Sequence, residues 1–395
     1  MLRTPQRIRA ILPAPFDALN AKAAQLRAEG KDVISLGQAL PDFGPPTSAV
    51  IAAKVAYERP ETHVYSANAG LEGLRVALSQ RLNADGGTDI RIDELIVSAG
   101  GNQAFMLGMM TLVEVGAEVI LPAPFFANHE MTVRAIGATP VEAPGLERGS
   151  FQVTWASIEP YLSSRTAAVV VCSPSNPTGD VVAREQLAVI QQELARRSIT
   201  LFIDETYADF VYDDVHTSGT AFSSWRENTV IVSTFSKSFG MTGWRVGYLL
   251  ANSEVCKQAI KVQDAMIICA PVISQIGVEA AIKAEWRYAH SFHPELKARR
   301  QLLIDRIKQI PRFHWAPTSG GFFAFVSVES CNDAEALAND ILERVHVVTI
   351  PGSSFGKIGQ GHLRLSYGAA SQPRLAEGLD RLRAYFQDAT HGFVG

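Results

Sequence analysis

Short runs of apolar residues recur through the middle of the chain and alternate with segments of helical periodicity. The runs are continuous in Val, Ile and Leu, which is typical of strands buried on both faces of a parallel sheet. We predict strands at residues 94–99, 118–123, 167–172, 199–204, 229–234 and 246–251. Residues 184–197 place Leu187, Ile190 and Leu194 on one helical face. The alternation predicts the α/β class, with a mostly parallel sheet flanked by helices.

The final part of the chain has a different pattern. An amphipathic stretch at 293–310 precedes candidate strands at 320–328, 345–350 and 362–368, and a closing helix carries Leu375, Leu379, Leu382 and Phe386. At 395 residues the chain is long enough for two domains. A Pro/Gly-rich crossing begins at Pro41. We therefore predict a large domain over residues 45–288 and a smaller α+β domain formed by residues 1–44 and 289–395.

Composition and charge narrow the possible partners. The chain has 47% hydrophobic and 19% charged residues, as ordinary soluble domains do. A formal net charge of −4 indicates no basic surface for nucleic acid or an anionic membrane, and no apolar run is long enough to span a bilayer. The four cysteines form no CxxC pair and no metal-type spacing with histidine. We expect a cytoplasmic protein with no metal site and no nucleic-acid or membrane partner.

Polar side chains follow directly after three successive predicted strands. The first of these strands is followed by Asn176, the next by Asp204 and Tyr207, and the third by Ser236 and Lys237. Each position alone also fits a turn, a helix cap or a solvated loop. Because ligands bind outside the carboxyl ends of parallel strands, the coincidence favours one shared site.

These residue types suit a particular cofactor chemistry. A lysine in a dry site has a destabilised ammonium group, which favours the free amine that forms a Schiff base. A buried aspartate needs a cationic partner, and a protonated pyridine nitrogen would serve. That pairing keeps the ring electron-withdrawing, as the stabilisation of a carbanion requires. Lys237 and Asp204 therefore indicate pyridoxal 5′-phosphate, with Asn176 and Tyr207 near its phenolic oxygen.

A cofactor phosphate would also need a binding site. Gly100, Gly101 and Asn102 lie between a predicted strand and a helix, where backbone N–H groups at a helix start bind anions. A glycine pair there is equally a tight turn. Thr234, Ser236 and Arg245 add hydroxyl and guanidinium donors. No P-loop and no dinucleotide-binding glycine motif is present in the sequence.

Motifs along nearly the whole chain resemble one known family. They are "LGQALPDF", "VYSANAGLEGLR", "SAGGNQA", "PFFANH", "SPSNPTG", "DETY", "STFSKSFGMTGWRVGY" and "HLRLSYG". In order and spacing they resemble the class I/II pyridoxal-phosphate-dependent aminotransferases of the aspartate aminotransferase superfamily. The resemblance implies fold type I: a large domain with a mixed, mostly parallel sheet and a smaller α+β domain.

The resemblance also implies roles for individual residues. Lys237 would form the Schiff base and move the proton between the substrate Cα and the cofactor. Asp204 would pair with the pyridine nitrogen, supported by His129, and Phe126 would stack on the ring. Asn176 and Tyr207 would contact the phenolic oxygen. The phosphate would be held by Gly100, Gly101, Asn102, Thr234, Ser236 and Arg245, and by Tyr65 from a second subunit, which implies a homodimer.

Substrate binding is also implied by the family pattern. Arg364 would bind the substrate α-carboxylate, helped by the Gly37 backbone and Asn176, although its spacing alone equally allows an arginine that faces solvent. In one subgroup of the family, a lysine after the glycine pair and hydroxyl side chains near the N-terminus bind an acidic substrate side chain. This chain has Asn102 at the first position, and Ala14 and Phe16 in the N-terminal segment.

These departures favour a neutral or aromatic amino donor such as Met, Phe, Tyr or Ala, with a 2-oxo acid such as 2-oxoglutarate as acceptor in a ping-pong reaction. Arg7, Arg9 or a partner-subunit arginine could still accommodate an acidic donor. The alternatives are an aspartate aminotransferase, a C–S lyase of the same fold, and a non-catalytic protein that kept the scaffold.

Overall fold

The computed structural model describes residues 3–13, 15–145 and 151–388, so Ala14 lies outside the described residues. Within these ranges the strands are β1 (Ile34–Ser35), β2 (Leu95–Ser98), β3 (Glu118–Ala123), β4 (Thr139–Pro144), β5 (Thr166–Cys172), β6 (Thr200–Asp204), β7 (Thr229–Thr234), β8 (Gly247–Leu250), β9 (Phe313–His314), β10 (Phe323–Val328), β11 (Val347–Val348), β12 (Ile350–Pro351) and β13 (His362–Ser366).

The α-helices in the same ranges are α1 (Gln6–Arg9), α2 (Pro15–Ala28), α3 (Thr47–Tyr57), α4 (Glu72–Gly86), α5 (Gly101–Leu112), α6 (Ala127–Ala135), α7 (Trp155–Ile158), α8 (Arg184–Ala195), α9 (Trp225–Asn228), α10 (Phe235–Ser238), α11 (Ser253–Ile267), α12 (Val272–Glu285), α13 (His293–Ile307), α14 (Ala334–Val345) and α15 (Gln372–Gln387). Of these helices, none combines the length and the apolar character that crossing a membrane would require.

The larger sheet contains seven strands in the order β2-β8-β7-β6-β5-β3-β4. Strands β3 to β7 run parallel to one another, whereas β8 is antiparallel to both β7 and β2. The six strands predicted for this region are confirmed, each with ends within one residue of the prediction. Strand β4 was not predicted, because its sequence TPVEAP carries two prolines and is only partly buried. Prolines of this kind are tolerated on edge strands such as β4.

Helices cover both faces of this sheet because successive strand residues point to opposite sides. On β6, Leu201 and Ile203 pack in a core with α4, α8 and α12, while Phe202 packs on the other face with α5, α6 and α11. Leu187, Ile190 and Leu194 of α8 are all fully buried, as the helical spacing predicted. The parallel arrangement directs the carboxyl ends of β5, β6 and β7 to one edge of the sheet.

The C-terminal part forms a second core around an antiparallel sheet in the order β12-β13-β10-β9, covered by α13, α14 and α15. The predicted strand at 345–350 divides at Thr349, so that β11 pairs with β1 while β12 pairs with β13. Leu19, Ala23 and Leu36 from the N-terminal segment also belong to this core.

The division into two domains remains a prediction. Part of the N-terminal segment packs as predicted with the C-terminal core, and part of it contacts the large domain. Residues from α2 and β1 join the C-terminal core. Helix α1 instead contacts α6, where the Arg7 Nε donates a hydrogen bond to the carbonyl of Ala135 at 3.2 Å. Tyr207 and Phe210, which follow β6, contribute their rings to the C-terminal core. The edge of the large sheet is therefore in direct contact with the second core.

Candidate active site

A cavity of about 410 Å³ opens at the carboxyl ends of β5, β6 and β7, where α2, β12 and β13 also contribute lining residues. Most of the site residues predicted from the sequence line this one cavity: Phe16, Gly37, Gly101, Asn102, Phe126, His129, Asn176, Asp204, Tyr207, Thr234, Ser236, Lys237, Arg245 and Arg364. Gly100 lies immediately before α5, at the edge of the group. Tyr65 does not line the cavity of its own chain, and 75% of its surface is exposed.

Lys237 lies on α10, a single turn of helix that begins directly after β7. The Thr234 hydroxyl caps this turn by accepting a hydrogen bond from the backbone N–H of Ser236 at 3.1 Å. The Lys237 amine donates a hydrogen bond to the carbonyl of Ala39 at 2.6 Å. Burial, followed by the positive charges of Arg364 and Arg245, lowers the pKa of the amine from 10.5 to about 8. At pH 7 roughly a tenth of the amine would therefore be uncharged, far more than for an unperturbed lysine.

Asp204 is the last residue of β6 and its side chain is buried in the cavity wall. Burial alone would raise the pKa of this carboxyl group, but hydrogen bonds from His129 and Thr206 outweigh the effect and lower it. The His129 Nε2 lies 3.0 Å from Oδ2, and the Thr206 backbone N–H donates to Oδ1 at 2.9 Å. The His129 ring lies 4.4 Å from the ring of Phe105, which fixes it in place. The site therefore contains a buried, ionised carboxylate.

An anion-binding arrangement forms where α5 begins. Gly100 precedes the helix with φ +87°, a conformation that side chains rarely adopt. The first two residues of α5, Gly101 and Asn102, line the cavity, and the backbone N–H groups of a first helical turn have no partner within the helix. Arg245 donates hydrogen bonds to the carbonyls of Thr242 and Ala99 at 3.0 and 3.2 Å, which places its guanidinium against Gly100. A Cβ atom at Gly100 would overlap this guanidinium. Together with the Thr234 and Ser236 hydroxyls, these donors suit a phosphate.

Arg364 lies on β13, an interior strand of the smaller sheet, and lines the same cavity. Its Nη1 and Nη2 donate to the Asn176 side-chain oxygen at 2.7 Å and to the Gly37 carbonyl at 2.6 Å. Only 3% of Arg364 is exposed, so the solvent-facing arrangement that its spacing also allowed is wrong. Burial lowers the pKa of the guanidinium to about 10.

Three aromatic rings surround this guanidinium. The carbon at its centre lies 5.7, 5.0 and 5.0 Å from the ring centroids of Phe16, Phe323 and Phe355. Within the described ranges no carboxylate forms an ion pair with Arg364, and its Nε has no hydrogen-bond partner. The ring faces provide the favourable electrostatic environment that a counter-ion would otherwise supply. The remaining N–H groups are suited to a carboxylate ligand.

The residues present fit pyridoxal phosphate. The donor set combines a buried amine of lowered pKa, a buried ionised carboxylate, and a helix start with an adjacent arginine that a phosphate would match. Tyr207 also lines the cavity, and burial raises the pKa of its phenol, so its hydroxyl remains a hydrogen-bond donor. Phe126, at the start of α6, offers a ring to the same space.

Sequence reasoning missed several lining residues. Asn20, Gln38 and Leu40 come from the N-terminal segment, Ile350 lies in a predicted strand, and no role was predicted for Thr206. Only Thr206 carried a usable signal, since a backbone N–H two residues after a strand-end aspartate commonly bonds back to that carboxylate. The apolar residues Phe323 and Phe355 are indistinguishable in sequence from core residues.

The fold and site together define an enzyme of fold type I, the class that uses pyridoxal phosphate. A family model described as aminotransferase class I and II matches residues 31–382. A putative aminotransferase, YugH, from Bacillus subtilis is 34% identical, with 93% of this chain and 95% of that protein covered. This chain belongs to the class I and II aminotransferase family.

Solved structures agree with this assignment. The aspartate aminotransferase from Thermotoga maritima superposes with a TM-score of 0.91 at 31% identity, covering 97% of this chain and 99% of that one. The aromatic aminotransferase from Pyrococcus horikoshii gives a TM-score of 0.85 at 30% identity, covering 93% and 98% of the two chains. The predicted family and fold type are thereby confirmed.

Proposed function

We propose that this protein is a pyridoxal-phosphate-dependent aminotransferase that moves the amino group of a neutral or aromatic L-amino acid to a 2-oxo acid such as 2-oxoglutarate. The observation that carries the proposal is the shared cavity of Lys237, Asp204 and Arg364. The reaction needs three groups: a base, a carboxylate that would pair with the ring nitrogen of the cofactor, and a cation that binds the substrate carboxylate. Donor and acceptor both carry an α-carboxylate, so one site serves both half-reactions in turn.

Each protein group would have a separate role in the reaction. When bound, pyridoxal phosphate supplies an electron-withdrawing ring that stabilises negative charge at the donor Cα. Lys237, with a pKa of about 8, can accept the proton from the donor Cα and then donate it to a different atom. Asp204 provides the negative charge that keeps a ring nitrogen protonated. Arg364 and Asn176 orient the substrate carboxylate, which fixes the Cα relative to Lys237.

The donor class follows from the charges around the cavity. Among the described residues the basic side chains that line it are His129, Lys237, Arg245 and Arg364, and each has a proposed role above. Phe16, Leu40 and Ile350 make part of the remaining surface apolar. Arg7 and Arg9 are exposed on α1 and do not line the cavity. A distal carboxylate on the donor would lack a partner from this chain, which costs several kcal/mol in a buried site.

A panel of amino donors with several oxo-acid acceptors tests this proposal. We expect kcat/KM for methionine, phenylalanine, tyrosine or alanine to exceed that for aspartate. Aspartate is the second candidate donor, because the Thermotoga maritima relative is named for it. A higher kcat/KM for aspartate would overturn the donor class, and release of pyruvate and ammonia from cystathionine would indicate a C–S lyase. A colourless protein that ignores added pyridoxal phosphate would overturn the enzyme assignment itself.

We also propose a homodimer in which Tyr65 reaches the neighbouring site. Tyr65 follows Ile51, Val55, Tyr57 and Val64 in the chain, and each of these five side chains is more than half exposed. Several exposed large apolar side chains in one segment are typical of a protein interface. Mixing Tyr65→Ala subunits with Lys237→Ala subunits tests the arrangement. Each mixed dimer would contain one intact site, so activity should return to roughly a quarter of the wild-type value, as random pairing of a two-fold dimer predicts. No recovery would place Tyr65 outside the neighbouring site.

A further inference from the structure

The turn that precedes α5 contains two residues with unusual backbone freedom. Gly100 and Gly101 are adjacent, and a glycine can adopt more backbone conformations than any other residue. Backbone N–H groups at a helix start bind an anion only when they point toward it, so the shape of this turn decides how well it can hold a phosphate. Contacts from outside the turn must therefore fix that shape. They converge on Ala99, the residue immediately before the two glycines.

Both polar groups of the Ala99 backbone are held by side chains. Its carbonyl accepts a hydrogen bond from Arg245 at 3.2 Å, and its N–H donates to the side-chain oxygen of Gln103 at 3.0 Å. Gln103 is the third residue of α5, a position from which a glutamine side chain commonly reaches back over the start of its helix. The turn is thus fixed by a cation that lines the cavity and by a neutral amide from the helix itself.

The Gln103 amide is in turn held by Gln263 of α11. The Gln103 Nε2 donates to the Gln263 Oε1 at 2.9 Å. The Gln263 Nε2 donates to the carbonyls of Val97 at 2.8 Å and Asn68 at 3.1 Å. Gln263 is fully buried, and a buried amide that loses a hydrogen bond has no water to replace it. This set of bonds therefore connects the turn before α5 firmly to β2 and to the segment at Asn68.

We propose that Gln263 is a positioning residue for the phosphate-binding turn, and that it acts through Gln103 and the Ala99 N–H. Neither glutamine is among the described residues that line the cavity. Their effect is to hold the turn in its binding conformation before the anion arrives, which removes an ordering cost from binding. This inference rests on the proposed function, because it takes the phosphate of pyridoxal phosphate as the anion.

The experiment compares two ligands that differ only in the phosphate. Pyridoxal phosphate and pyridoxal are titrated separately into the cofactor-free protein, and the visible absorbance gives the two dissociation constants. Gln263→Met and Gln103→Met each keep an unbranched side chain of similar length and remove the amide. Gln103 is only partly buried, so Gln103→Met carries the test if Gln263→Met does not fold.

Gln191→Met is the matched control. Gln191 is also a buried glutamine, and its amide donates a hydrogen bond to the Thr229 hydroxyl at 2.7 Å. It lies on α8, which packs on the face of the large sheet opposite to α5 and α11. Removing its amide therefore reproduces the loss of a buried hydrogen bond without disturbing the turn.

We expect Gln263→Met and Gln103→Met to weaken binding of pyridoxal phosphate about fivefold, the scale of one neutral hydrogen bond, and to change pyridoxal binding by less than about twofold. Gln191→Met should keep the wild-type ratio of the two dissociation constants. An unchanged ratio in the two test variants would overturn the inference, as would an equal loss for both ligands, which indicates a general effect on the fold. A wild-type protein that binds neither ligand refutes the proposed function instead.

A double variant tests whether the two glutamines act in series. If Gln263 acts only through Gln103, removing both amides should cost no more than removing one, because coupled residues are not additive. The protein with both substitutions should therefore also lose about fivefold in affinity for pyridoxal phosphate. A loss of about 25-fold, the product expected for independent sites, would overturn the proposed route through Gln103.

Discussion

Replacing Lys237 with methionine should remove a specific pH dependence of stability from the cofactor-free protein. The pKa of Lys237 falls from 10.5 to about 8 in the folded chain, chiefly because the amine is buried. Between these two values the unfolded chain binds more protons than the folded chain, so the free energy of unfolding rises with pH. The contribution is fully present above pH 10.5 and is lost as the pH falls to about 8.

The size of the effect follows from the same pair of values. At about 1.4 kcal/mol for each tenfold change in proton affinity, the difference between 10.5 and about 8 corresponds to roughly 3 kcal/mol. According to the linkage relation, about 2 kcal/mol of this difference appears as an increase in the free energy of unfolding between pH 7 and pH 9.5. Methionine keeps most of the buried methylene volume and cannot titrate, so the Lys237→Met protein should lack this rise.

Urea denaturation at the two pH values measures the effect as a difference between proteins. The free energy of unfolding of the wild type, relative to Lys237→Met, should increase by about 2 kcal/mol from pH 7 to pH 9.5. Tyrosines and cysteines titrate in both proteins and cancel in the comparison. Lys261→Met is the control, because Lys261 is exposed on α11 and its loss should give a curve parallel to the wild type. Parallel curves for Lys237→Met as well would refute the lowered pKa and the reasoning built on it.

Two further substitutions probe the surroundings of Arg245 and Arg364, the two arginines that line the cavity. Gly100→Ala places a methyl group against the Arg245 guanidinium at a positive φ, so pyridoxal phosphate should bind at least about tenfold more weakly by absorbance titration. Gly243→Ala, with open space around the added Cβ, should bind it as the wild type does. Phe355→Leu removes one ring from Arg364 and should raise KM about fivefold for every amino donor alike, the scale of a cation–π contact near 1 kcal/mol. A loss confined to one donor would assign Phe355 to the side-chain pocket instead.

The strands of the large sheet were predictable because they are buried on both faces and so contain uninterrupted apolar runs. Strand β4 escaped prediction since an edge strand needs fewer apolar residues and tolerates Pro140 and Pro144. The segment at 345–350 was predicted as one strand, yet the chain crosses from one sheet to another at Thr349. Nothing local marks that crossing, because it depends on where β1 and β13 lie.

The site was predictable where chemistry and strand ends coincide, as at Asp204 and Lys237. The contacts that tune those residues were not. The carbonyl that holds the Lys237 amine belongs to Ala39, far away in sequence, and a backbone carbonyl has no sequence signature. The rings around Arg364 come from separate segments, and a phenylalanine beside a cation has the same sequence pattern as one in the core. Residue type thus indicates the chemistry, whereas the fold determines how strongly each group is perturbed.

The charges of the cavity explain why its ligands should be anions. Three basic side chains, Lys237, Arg245 and Arg364, share the space with Asp204, which is the one carboxylate that lines the cavity among the residues that the structure describes. Burial, followed by the charges of the two arginines, lowers the pKa of the lysine, so the arginines add to the loss of a proton from Lys237 as long as their charges remain uncompensated. A phosphate beside Arg245 would cancel one of these charges. A carboxylate beside Arg364 would cancel the other. The affinity for each anion should therefore fall as the salt concentration rises. The decrease should be smaller at Arg364, because this side chain is buried and its rings shield it from solvent.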